Sequence, residues 1–183
     1  MTDLEIMRNP NSDRESVMTV VRRKPFMMKW ACDAFKDDYE VVMAALVTKH
    51  AAEAFKHASP RLRADRTIAE ECVKNDKYMQ CISFVDPSLL SDREFILEVL
   101  GMRPYVFAHS TVPWTRDFLV DCVVANCEVM EDLPDEYTSD RQFALDVIAK
   151  EGDVLAHLSD QLKDDREVLL AQFRAEYGGG NLK

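Results

Sequence analysis

The sequence contains few residues that interrupt a helix. Glycine occurs only five times in 183 residues, and three of the five stand together in the C-terminal segment GGGNLK. Because glycine and proline are the residues least compatible with a helix interior, a chain with so little glycine can be helical over most of its length. We therefore predict helical structure up to residue 177 and a flexible Gly-rich tail over residues 178–183.

Long apolar runs are also missing. No segment approaches the roughly 20 consecutive apolar residues of a membrane-spanning helix, and the start MTDLEIMRNPNSDR has neither a signal-peptide core nor the acid-poor character of a transit peptide. The expectation is a protein without direct membrane insertion, cytoplasmic by default.

Motifs that carry chemistry are lacking as well. The five cysteines form no CxxC pair, which argues against a disulfide framework and a zinc site. The sequence has no phosphate-binding glycine loop, nucleophile elbow, kinase signature or HExxH pair. We therefore expect no enzyme activity, no catalytic residue, no cofactor and no metal. The formal charge of −10 repels nucleic acid, which disfavours an RNA-binding helical repeat and leaves proteins as the expected partners.

The sequence does contain one short motif that is repeated seven times. SDREFILEVL at 91–100 returns as SDRQFALDVI at 139–148 and DDREVLLAQF at 164–173, and the full search gives seven repeat starts at intervals of 23 to 27 residues. These starts are Asp13, Asp38, Asp65, Asp92, Thr115, Asp140 and Asp165. Apolar residues three, four, seven and eight positions after most starts predict one helix, and a stripe ten, seven and three positions before most of them predicts a second.

Short helix pairs of this kind cannot bury their apolar stripes alone, so repetition supplies the core. We predict an all-α, right-handed-type solenoid of about six and a half antiparallel helix pairs, forming a single array over residues 1–177.

The Asp-Arg-Glu openings followed by apolar stretches carry a family resemblance, which is best in HASPRLRADR, DPSLLSDREFILEVL and LSDQLKDDREVLLA. The pattern resembles tandem helical repeats known only as a domain of unknown function, abundant in some unicellular eukaryotes and large DNA viruses. The resemblance spans about residues 12–177. It implies a helical array and no particular activity.

The repeat openings also fit the capping box, in which a cap side chain and an acid or amide three residues later satisfy each other's backbone N–H groups. This predicts caps at Ser12, Ser91 and Ser139, paired with Glu15, Glu94 and Gln142, and similar boxes at Asp37 and Asp164. In the two other repeats Asp65 and Thr115, one residue later, are the candidate caps.

Arginine follows six of the seven starts, at Arg14, Arg66, Arg93, Arg116, Arg141 and Arg166. A cation in the first turn opposes the helix dipole, so something outside the helix must favour it. One interpretation is a structural ladder, in which each arginine pairs with an acid or a C-terminal carbonyl of a neighbouring repeat. The other is a row of anion contacts along one edge.

Three groups of residues remain as candidates for function. Cys72 and Cys122 share a column with valine and alanine, which favours small core residues over a reactive thiol. Aromatic Trp114 is either core or an interface anchor. In the last repeat the stripe Val168, Leu169, Phe173 and Tyr177 is either covered by the preceding helix or available for docking.

These patterns predict a non-catalytic protein–protein interaction scaffold or an accessory subunit of a larger multi-protein complex. The candidate contact residues are Leu169, Phe173, Tyr177 and Trp114. The alternative is a thiol-based redox-sensing or enzyme-associated regulatory protein.

Overall fold

The computed structural model describes residues 1–48, 50–76, 78, 80–150 and 153–177. Within these residues all regular structure is helical and no β-strand is present, so the all-α prediction is confirmed. The predicted flexible tail, 178–183, lies outside the described residues.

The helices of the described residues are of two kinds. The α-helices are α1 (Asp3–Arg8), α2 (Arg14–Arg23), α3 (Asp33–Lys36), α4 (Tyr39–Leu46), α5 (Ala51–Phe55), α6 (Pro60–Arg63), α7 (Arg66–Asn75), α8 (Pro87–Leu90), α9 (Arg93–Met102), α10 (Arg116–Ala125), α11 (Asp135–Thr138), α12 (Arg141–Ala149), α13 (Asp160–Lys163) and α14 (Arg166–Tyr177). The 3₁₀ helices are Pro25–Trp30, Gln80–Phe84, Pro104–His109, Cys127–Asp132 and Leu155–His157.

The longer helices follow the repeat register read from the sequence. Helices α2, α4, α7, α9, α10, α12 and α14 each begin one residue after a predicted repeat start. Their apolar positions recur with helical spacing, so each helix has one face that packs into the core.

In five of the described repeats the helix predicted before the repeat start is divided into two short segments, whereas α1 before Asp13 is one helix and Pro104–His109 is the one helical segment before Thr115. Before the start at Asp38, for example, the 3₁₀ helix Pro25–Trp30 is followed by extended backbone at Ala31 (φ −62°, ψ 144°) and then by the single turn α3. Two features explain the division. Apolar residues three apart suit the 3.0-residue turn of a 3₁₀ helix, and prolines at the first position of α6 and α8 begin a new helix and cannot continue an old one.

The chain divides into two compact units, Met1–Phe95 and Ile96–Lys183. In the first unit α4 packs against α2 and α7, while α5 packs against two 3₁₀ helices, Pro25–Trp30 and Gln80–Phe84. In the second unit α12 packs against α10 and α14, while the 3₁₀ helix Cys127–Asp132 contacts Pro104–His109 and Leu155–His157. Within each unit, therefore, long helices pack on long helices of neighbouring repeats and short segments on short segments, and long helices also contact short segments, as α4 contacts α5 and α10 contacts Cys127–Asp132. That residues 1–177 form one array remains a prediction.

Two sets of positions on each long helix differ in which repeats bury them. The residues four and eight positions after the start are at most 3% exposed in the first six repeats: Val17, Val42, Ala69, Ile96, Leu119 and Ala144 at the first position, and Val21, Leu46, Val73, Leu100, Val123 and Ile148 at the second. The residue three positions after the start is fully buried in every repeat except the first, where it is the exposed Ser16. Helices α4 and α12, in which both sides are buried, each pack against two neighbouring long helices of their own unit.

Candidate interaction surface

The N-terminus of each long helix is capped by the residue at the repeat start. The Asp140 carboxylate accepts a hydrogen bond from the Phe143 N–H at 2.9 Å, and Asp65 accepts one from Ile68 at 3.0 Å. The same arrangement holds at the other starts, with Asp13, Asp38, Asp92, Thr115 and Asp165 as acceptors. Each cap satisfies a backbone donor that has no partner inside the helix.

The predicted caps Ser12, Ser91 and Ser139 are therefore wrong by one residue. Ser139 is the C-cap of α11, with φ −107° and ψ 0°, and Ser91 is the C-cap of α8. An N-cap residue needs a more extended backbone, which is found at Asp140 (φ −87°, ψ 106°). Ser91 and Ser139 end the preceding helical turn, Ser12 lies beyond the Asn9 C-cap of α1, and the aspartates begin the next helix.

A capping box does occur, at a place the sequence reading missed. In α1 the Glu5 carboxylate accepts from the Thr2 backbone N–H at 2.7 Å, while the Thr2 hydroxyl accepts from the Glu5 N–H at 3.3 Å. The signal was the spacing Thr-x-x-Glu, which lies outside the seven repeat openings.

The arginines after the repeat starts pair with acids of the next repeat. Each of three arginines reaches both the capping aspartate of the following helix and the acid two residues later. The pairs are Arg14 with Asp38 at 2.7 Å and Glu40 at 3.0 Å, Arg66 with Asp92 and Glu94 at 4.0 Å, and Arg141 with Asp165 at 3.2 Å and Glu167 at 2.6 Å. The capping aspartate thus joins two repeats.

Arg116 makes the most extensive of these contacts. Its guanidinium lies 2.8 Å from Asp140 and 2.9 Å from Asp146. Hydrogen bonding by Arg116 holds the pKa of Asp140 below its usual range, and hydrogen bonds from Gln142 and Arg116 lower the pKa of Asp146. Opposite charge compensates a cation that the helix dipole disfavours.

The remaining two predicted ladder arginines are Arg93 and Arg166. Arg93 lies in the first turn of α9. Arg166, in the first turn of α14, is exposed and makes no ion pair with another described residue.

Helix α14 presents an exposed apolar surface. Leu169 is 43% exposed, Phe173 61% and Tyr177 65%, whereas Val168 is fully buried. Leu169 and Phe173 occupy the two positions that are at most 3% exposed in the six earlier repeats. The rings of Phe173 and Tyr177 contact each other with centroids 4.9 Å apart. We call Arg166, Leu169, Phe173 and Tyr177 the α14 face.

Trp114 is a separate exposed aromatic. It precedes α10, is 48% exposed, and stacks on the buried ring of Phe107 with centroids 5.0 Å apart. Its ring is therefore packed on one side and open to solvent on the other.

A further apolar groove was not predicted from the sequence. It has a volume of about 560 Å³, lies in the first unit along α2 and α4, and is lined chiefly by Met18, Met43, Ala44 and Val47. Its signal was the recurrence of methionine five residues after two successive repeat starts.

Most of the cysteine thiols are buried in the protein core. Cys72, Cys81 and Cys122 are buried, while Cys32 and Cys127 are partly exposed. Burial is the main cause of a raised pKa at the Cys72 thiol, and a hydrogen bond with Cys81 adds to it. The neighbouring position of these two sulfurs is a tertiary contact that no sequence spacing indicated.

The residues the structure describes contain no group of three or more histidine, cysteine, aspartate or glutamate side chains placed to hold a metal ion. Among the same residues, no helix is long and apolar enough to cross a membrane.

The recurring caps, ion pairs and buried columns define an all-α helical-repeat protein. The sequence also matches the model of a known protein family. The sequence model described as Domain of unknown function (DUF4116) matches three times, over residues 13–63, 46–87 and 65–111. Because these matches together cover more than half of the chain, the protein belongs to this family, as a tandem repeat of its unit. Neither the curated proteins nor the solved structures gave a match.

Proposed function

We propose that this chain is a non-catalytic protein–protein interaction scaffold that serves as an accessory subunit of a multi-protein assembly. Its architecture in this proposal is a solenoid of about six and a half antiparallel helix pairs, most of which have a divided second helix. Its main contact surface is the α14 face.

The repeat chemistry supports the solenoid. A capping aspartate that also binds the arginine of the previous repeat fixes the start of one helix relative to the start of its neighbour. Such a contact joins adjacent repeats only, which is the nearest-neighbour organisation of repeat proteins. Solenoids commonly act through extended binding surfaces, so the architecture favours binding over catalysis.

One observation carries the proposed function. Leu169 and Phe173 are 43% and 61% exposed at positions that every earlier repeat buries. Burial of apolar surface contributes roughly 25 cal/mol per Å², so a covering partner gains free energy at these side chains. Large exposed apolar patches commonly mark interaction sites.

The thiol alternative has weaker support. Three of the five sulfurs are buried, and burial raises the pKa of Cys72 and disfavours its reactive thiolate.

Tagged chain incubated with native extract tests the proposal. We expect a stoichiometric complex with the parent and its selective loss with the double variant Leu169→Ser and Phe173→Ser. Leu170→Ser is the matched control, because Leu170 lies on the same helix and is 42% exposed but belongs to neither buried column.

Far-UV circular dichroism shows whether each variant keeps its helices. A double variant that retains its helicity and every associated protein would contradict the α14 face as the contact surface. Loss of the complex with Leu170→Ser as well would show that the effect is not specific to the face.

A further inference from the structure

We infer that the α14 face binds a second copy of this chain, through the first repeat of that copy. This inference rests on the proposed function, because it names the occupant of the same surface. Charge, shape and the register of the repeats each support this occupant.

The series of arginine–acid pairs between repeats is incomplete at both ends of the described repeats: an arginine in the last repeat and two acids in the first lack a partner in another repeat. Arg14 and Arg141 each bind the capping aspartate of the next repeat and the acid two residues later. Arg166 is the equivalent arginine and has no ion pair among the described residues.

The matching acids stand in the first repeat. Asp13 caps α2, and its carboxylate accepts from the Ser16 N–H and hydroxyl, both at 2.9 Å, without an arginine partner among the described residues. Glu15, two residues later, pairs among the described residues only with Arg22 of its own helix, at 3.3 Å. Arg166 of one copy can therefore bind Asp13 and Glu15 of another as the internal arginines bind their acids.

The apolar part has a complement in the same place. A recess of about 280 Å³ lies along α1 and α2, with Ile6, Ser16, Thr19 and Val20 in its lining together with Asp13 and Glu15. It lies on the side of α2 that carries the exposed Ser16, and the position equivalent to Ser16 is fully buried in every later repeat. Phe173 lies seven residues, about two turns, beyond Arg166, so a helix that places Arg166 at the acids brings Phe173 alongside Thr19, six residues beyond Asp13.

Net charge favours this pairing over contact between two α14 faces. Residues 1–95 contain 15 Lys and Arg against 16 Asp and Glu, a net charge of −1, whereas residues 96–183 contain 8 against 17, a net charge of −9. Two C-terminal units would therefore repel each other strongly, while a C-terminal unit and an N-terminal unit would not.

The contact joins two different surfaces, so each added copy brings one free α14 face and one free first repeat. Association of this kind continues past the dimer unless a ring closes. Sedimentation velocity of the purified full chain at physiological salt should give an average mass that rises with concentration beyond that of a dimer.

Two surface variants test the two sides. Phe173→Glu alters the α14 face and Thr19→Arg alters the first repeat, and we expect each to weaken self-association by roughly tenfold or more. Neither residue is buried, so helicity should be retained. An equimolar mixture of the two variants should form a one-to-one complex, because the mixture contains one intact surface of each kind. Leu170→Ser should associate like the parent.

Charge reversal tests the ion pair. Arg166→Glu should weaken association, and adding Glu15→Arg to the same chain should restore it. Self-association that persists in Thr19→Arg but disappears in Phe173→Glu would overturn the inference in favour of contact between two α14 faces. A parent that stays monomeric at every concentration would overturn it too. The proposed function would still stand in that case if extract proteins were lost with the variant Leu169→Ser and Phe173→Ser.

Discussion

Replacing Asp140 with alanine removes two contacts that join adjacent repeats. The Asp140 carboxylate accepts from the Phe143 N–H at 2.9 Å and from Arg116 at 2.8 Å. Loss of an N-cap costs about 1 kcal/mol. The ion pair adds about 0.5 kcal/mol, a small value because the Arg116 and Asp140 side chains are 43% and 34% exposed to solvent. A total of about 1.5 kcal/mol lowers the melting temperature of a chain of this size by roughly 3–6 °C.

Thermal unfolding followed by circular dichroism measures the effect, and two variants separate its causes. Asp140→Asn keeps a capping oxygen and loses the charge, so it should lower the melting temperature by roughly a third as much. Ser139→Ala should leave it almost unchanged, since Ser139 caps α11 with its backbone and not its side chain. If Ser139→Ala destabilised the protein as much as Asp140→Ala, the assignment of the caps to the aspartates would be refuted.

Three further predictions follow from the ion pairs and the thiols. Asp140 and Asp146 have lowered pKa values in the folded state, so their contribution to stability is present above the unfolded pKa of about 3.9 and is lost as pH falls through the folded pKa. The melting temperature should therefore fall more steeply from neutral to acidic pH in the parent than in Arg116→Gln. Equal slopes in the two proteins would contradict the pairing of Arg116 with these acids. A double-mutant cycle of Arg116→Gln with Asp146→Asn should give a coupling energy of about 0.2–1 kcal/mol in denaturant unfolding, and strict additivity would show that the contact has no energetic role. In native protein a thiol reagent should modify Cys127 much faster than Cys72, as followed by mass spectrometry of the labelled peptides, and rapid labelling of Cys72 would count against its burial.

The repeat register could be predicted from the sequence because it depends on local chemistry. Apolar residues at helical spacing mark the long helices, and the structure begins each of them one residue after a predicted start. The second helix of each pair could not be predicted in the same way. Spacings of three and four residues suit both 3₁₀ and α turns, and the backbone choice depends on packing against the neighbouring short segments.

The caps show how a local pattern can be read one residue too early. Ser139 with Gln142 and Asp140 with Phe143 both fit the geometry of a helix start, and the sequence reading preferred the capping box. The aspartate is the cap in the structure, where it also binds an arginine of the preceding repeat. That second contact is tertiary, so helix-start preferences alone gave no reason to favour it.

For the candidate contact surface, too, some features could be predicted from the sequence and others depend on tertiary packing. The sequence by itself determined which residues of α14 are apolar and which repeat position each occupies, because composition and period are local properties. Whether Leu169 and Phe173 are exposed while Val168 is buried, and whether Cys72 lies beside Cys81, was decided only by the tertiary structure. The physical reason is that burial depends on which neighbour covers each side of a helix, and two sides that look alike in sequence can have different neighbours.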